Sequence, residues 1–170
     1  MGTGYFTELN DSINKTYELL LGSTDLVKLL YYNDSDPLKN TAVSDPTVLI
    51  ENNLFPYQYV PEAQEDVKSL VCAYFFDISP YKGNRGAARE ELLCFDIIVH
   101  SSIWRINSAL RPYSIMSQID LLFNNKQYSE LSMKNIYFEN AIPMKWSNYF
   151  HGHRMLYQLG NDSNMRNRSL

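Results

Sequence analysis

Residues 90–125 constrain this chain more than any other stretch. From Glu90 to His100 the apolar positions follow a period of two: Leu93, Phe95, Ile97 and Val99 share one face, and Leu92, Cys94, Asp96, Ile98 and His100 share the other. That alternation describes a strand, and a strand apolar on both sides must be covered on both. A turn over residues 101–110 leads into Pro112, which suits a first helical turn because its missing N–H would have no partner there. Ile115, Met116, Ile119, Leu122 and Phe123 then recur at i, i+1, i+4, i+7 and i+8, the stripe of a helix laid on a sheet, with Asn124 and Asn125 as its stop.

The rest of the chain arranges itself around this unit. Residues 9–21 read as a helix capped by Asp11 or Ser12 and ended by Gly22, and Ser23 or Thr24 caps a second helix with Leu26, Val27, Leu29 and Leu30 on its apolar face. Residues 34–66 lose all period, punctuated by Pro37, Pro46, Pro56 and Pro61. Leu54, Phe55, Tyr57, Tyr59 and Val60 are too apolar for a linker, so this stretch is expected to be an extended arm laid across a surface. Residues 67–78 form another two-sided strand, with Leu70, Cys72, Tyr74, Phe76 and Ile78 on one face and Val71, Ala73 and Phe75 on the other. With the next strand it predicts a long antiparallel hairpin. Two closing strands are expected. One over 134–142 has Ile136, Phe138 and Ile142 on one face. The other, over 150–159, sets Phe150, Gly152, Arg154 and Leu156 against His151, His153, Met155, Tyr157 and Leu159.

The expected fold is therefore α+β: a mostly antiparallel four-stranded sheet (β-β-α-β-β) with a helix packed on one face, preceded by a helix pair and a long extended arm. The corresponding division is 1–33 for the helix pair, 34–66 for the arm, 67–159 for the core and 160–170 for a frayed tail.

Composition narrows function by exclusion. A net charge of −4 argues against tight binding of nucleic acid over the whole surface. The start of the sequence lacks the charged and apolar regions of a signal peptide, and no apolar run approaches the ~18 residues that span a bilayer, so a soluble cytoplasmic product with no membrane partner is expected. Cys72 and Cys94 fall within apolar runs and read as buried free thiols. The 13 tyrosines suit surfaces that are wet in a monomer and covered in an assembly, and equally a Tyr-rich core.

Candidate chemistry is sparse. His151 and His153 lie two apart on one strand face, and His100, with Asp96 beside it, would be a third ligand if the strands were neighbours; the pattern lacks HxxxH or CxxC spacing, so structural histidines and no metal are expected. The loop Tyr81-Lys82-Gly83-Asn84-Arg85-Gly86 departs from the phosphate-loop pattern and joins two antiparallel strands. Lys82, Arg85 and Arg89 there suit contact with acidic groups on a partner, or a solvated hairpin tip. Glu90 and Glu91 point to opposite strand faces, and Glu62, Glu65 and Asp66 lie in a solvated stretch, so paired-carboxylate catalysis is not expected. Trp104 and Trp146 sit where packing anchors do. No enzyme signature and no cofactor motif emerges.

The phrases FDIIVH (95–100), Trp104, LRPYSIMSQIDLLFN (110–124) and the closing F-H-G-H-x-x-x-Y (150–157) together resemble tailed-phage tail terminator and neck proteins, small α+β subunits that form a ring where tail meets head. The resemblance covers residues 67–159 and implies a virion protein made in the host cytoplasm. It further implies a homo-oligomeric ring, typically hexameric, that caps the tail tube protein, docks a head-side connector and lets genome DNA pass through its lumen unbound. A stopper or adaptor of the same neck, or a small intracellular protein-binding module, is the competing expectation. On this reading Tyr81, Lys82, Arg85 and Arg89 make the ring–ring contact, and Leu54, Phe55, Tyr57 and Tyr59 belong to an inter-subunit arm.

Overall fold

A computed structural model describes residues 7–62, 66–80, 89–132 and 135–159, with the backbone alone for Pro80 and Arg89. It opens with α1 (Thr7–Gly22) and α2 (Thr24–Tyr31). Ser23 caps α2, its hydroxyl accepting from the Leu26 amide at 3.4 Å. Eight residues are too few for a helix to persist alone in water. Burial of Leu26, Val27, Leu29 and Leu30 holds it, at roughly 1.5–3 kcal/mol for each large side chain. The expected cap of α1 is corrected: the helix is already formed at Thr7, and Ser12 lies inside it. There its single hydroxyl proton is shared between the Glu130 carbonyl (2.7 Å) and the more distant Glu8 carbonyl (3.1 Å), tying the helix to the loop before the last two strands.

The arm is not extended. Short 3-10 turns at Pro37–Lys39 and Pro46–Leu49 fold it back, and it contributes β1 (Leu54–Phe55). Then come β2 (Ser69–Pro80), β3 (Arg89–His100), the small hairpin β4 (Arg105–Ile106) and β5 (Ala109–Leu110), α3 (Arg111–Phe123), β6 (Ile136–Lys145) and β7 (Phe150–Leu159).

The main sheet has five strands in the order β1-β2-β3-β7-β6, one more than the sequence predicts. The extra strand is β1, paired parallel to β2 through Leu54–Val71 and Phe55–Cys72; the remaining neighbours are antiparallel. The α+β class and the β2–β3 hairpin stand. The chain leaves β3, crosses through α3, builds the edge strand β6, and returns to fill the gap with β7.

Three helices, where one was expected, pack with Leu54, Val71, Ala73, Leu93, Phe95, Ile97, Val99, Met155 and Tyr157 into one large core on a single sheet face. The opposite face carries a second, smaller core of Phe55, Leu70, Cys72, Ile98 and Phe150, flanked by Tyr59, Tyr74 and Trp146. Two β-bulges, at 75–77 in β2 and 138–140 in β6, each insert one residue and reverse the facing of everything beyond. Ile78 and Ile142 thus sit opposite the faces their parity predicts: Ile78 pairs with Glu91, and Ile142 pairs with Arg154.

Candidate interaction surfaces and the buried polar network

The arm residues divide. Leu54 and Phe55 are buried within the chain's own sheet, Leu54 in the large core and Phe55 in the small one. Asn53 fixes them there. Its side-chain amide donates to the Leu30 carbonyl (3.0 Å) and the Ser69 carbonyl (2.8 Å), and its own carbonyl accepts from the Val71 amide (2.7 Å). Leu54 and Phe55, expected in an inter-subunit clasp, are here the fifth strand of the chain's own sheet. Tyr59 stacks face to face on Phe55, with ring centroids 4.3 Å apart. Tyr57 and Val60 point outward, 52% and 57% exposed.

Of the expected ring–ring loop, Tyr81, Lys82 and Arg85 lie outside the described residues, and Arg89 is placed only as the backbone start of β3.

The sheet face without helices is built around a charge. Asp96, fully buried, pairs across the strands with Arg154, whose side chain is 12% exposed. The guanidinium donates from Nε to Oδ1 at 2.7 Å and from Nη2 to Oδ2 at 2.9 Å. The Tyr74 hydroxyl donates to Oδ2 at 2.9 Å, and the Cys94 thiol lies 3.7 Å from Oδ1. The guanidinium also sits over the Phe76 ring, 5.3 Å from its centroid. The hydrogen bonds to Asp96 push Arg154 above its usual pKa. Burial pushes the Cys94 and Cys72 thiols up to about 12, so both are inert, unpaired sulfhydryls. Every carboxylate lone pair is engaged from within, which makes this network a lock on the register of β2, β3 and β7.

The three histidines do not converge. His151 and His153 share the helix-covered face, whereas His100 lies on the other, paired with Phe150. His100 caps the 3-10 turn Ser101–Ile103 through Nδ1, which accepts from the Ser102 amide at 3.2 Å. His151 Nε2 lies 3.2 Å from the Asn148 carbonyl, and the His153 ring packs against Tyr113, centroids 5.3 Å apart. The described residues contain no group of His, Cys, Asp or Glu that could hold a metal. Trp146 packs on the small core and Trp104 on the large one, as anchors.

Arg111, which sequence reasoning did not single out, opens α3 and is completely buried. Its Nε donates to the Ile103 carbonyl (3.0 Å), and Nη1 donates to the Leu29 and Tyr32 carbonyls (2.9 and 2.6 Å). Nη2 donates to the Asp34 carbonyl. The guanidinium thus satisfies carbonyls at the C-terminal end of α2, where the helix dipole favours a cation. A buried Arg met only by carbonyls has no sequence signature beyond its place between apolar residues. Asp96 with Arg154 had one: opposite charges, each in the middle of an apolar strand.

At the far edge, β6 is largely exposed along its length. Between it and α3 runs an apolar groove with Met116 and Met155 at its floor and Leu121 (67% exposed) and Phe138 (42% exposed) on its walls. Its one charged residue, Asp120, accepts from the buried Tyr157 hydroxyl at 2.9 Å and from Asn124 at 3.4 Å.

A family model described as YomW matches residues 23–159. The chain belongs to the YomW family. The matched span starts at Ser23, the cap of α2, and ends at Leu159, the last residue of β7. It therefore takes in the whole five-stranded sheet, α2, α3, the buried network and both edge surfaces, and leaves α1 outside. A search of curated proteins finds no match. No described helix is long and apolar enough to cross a membrane.

Proposed function

We infer that this YomW-family chain is a structural virion protein that forms a ring at the head–tail junction of a tailed phage. On this reading it caps the tail tube and docks the head connector, as a tail terminator does; a stopper or adaptor position in the same neck is the alternative. One observation carries the reading. The subunit completes its own core, yet leaves apolar side chains exposed at both lateral edges of its sheet, Tyr57 and Val60 beside β1 and Leu121 and Phe138 beside β6. Surfaces of this kind on opposite sides of one molecule suit contacts between copies related by rotation.

Mechanism here is geometry. Ring closure on the last tube ring halts growth of the tube, and the opposite face receives the head-side connector. The cationic loop of Tyr81, Lys82, Arg85 and Arg89 is assigned to that ring–ring contact. A subunit of net charge −4 lines a passage through which genome DNA moves without being held.

Light scattering and negative-stain imaging of the purified protein, with and without tail tubes, test the reading. Rings, free or on tube ends, are expected; a protein that stays solitary in both conditions rules the ring out. Reversing the charges with Lys82→Glu, Arg85→Glu and Arg89→Glu is expected to leave the fold and the ring intact while blocking head–tail joining in a complementation assay. Normal joining removes the loop from the contact.

A further inference from the structure

We draw no further inference here: the strongest candidate, the shallow apolar groove between α3 and β6 lined by Met116, Leu121, Phe138 and Met155, carries none because nothing in the structure shows what covers it.

Discussion

Arg154 faces Asp96 across β7 and β3 and grips it with two parallel hydrogen bonds of 2.7 and 2.9 Å. The carboxylate is wholly removed from water. In such a setting the loss of one partner costs more than the pair contributes, since the other charge is left buried and alone.

Asp96→Asn, close to isosteric, is therefore expected to destabilise the protein by about 3 kcal/mol. Replacing both partners, Asp96→Leu with Arg154→Met, is expected to recover most of that loss. Urea unfolding of the two variants beside the wild type measures it, and a double variant no better than Asp96→Asn would contradict the argument.

Arg111→Lys keeps the charge and loses the planar fork. A single ammonium cannot reach the carbonyls of Leu29, Tyr32, Asp34 and Ile103 together, so buried acceptors are left without donors. A loss of about 2–3 kcal/mol is expected from the unmet groups. The same unfolding measurement decides it, and hydrogen exchange should show α2 opening first.

Gly152 has φ of +158°, and a Cβ built on it would lie 1.8 Å from the Ile97 carbonyl oxygen. That oxygen is backbone of the adjacent strand and cannot turn aside. Gly152→Ala is expected to cost at least about 4 kcal/mol, the range of severe core disruption. Soluble yield and melting temperature report it; a well-folded Ala variant would show that β3 and β7 can part locally without penalty.

His153 links stability to pH. Its Nδ1 is buried with no hydrogen-bond partner among the described residues, and burial holds its pKa below the usual value. Below about pH 6.5 the unfolded chain takes up a proton that the folded chain resists, so stability falls as pH falls through that window. Above it this residue contributes no slope. Urea midpoints between pH 7.5 and 5.5 are expected to drop further for the wild type than for His153→Gln. Parallel profiles would exclude the residue as the source.

Much of the fold was legible because its main elements keep a strict period. The faces of β3 and β7 are those the alternation describes, and the stripe of α3 faces the sheet as its spacing requires. The misreadings have identifiable causes. One inserted residue in β2 and one in β6 reverse the parity of Ile78 and Ile142, and no local composition announces a bulge. β1 is two residues long and exists through its parallel pairing with Val71 and Cys72, a long-range contact that local pattern cannot carry. Ser12 looked like a cap because a hydroxyl satisfies a helix end and a distant carbonyl equally well. The histidines separated because the strands that hold them set His100 and the 151/153 pair on opposite faces.

β7 is the last described strand along the chain, yet it lies between β3 and β6 in the sheet. During synthesis the hairpin and α3 leave the ribosome well before it, and β6 has no neighbour to pair with until it arrives. The native sheet therefore cannot close until residue 159 is free to move, and premature stops upstream should yield fragments marked for proteolysis.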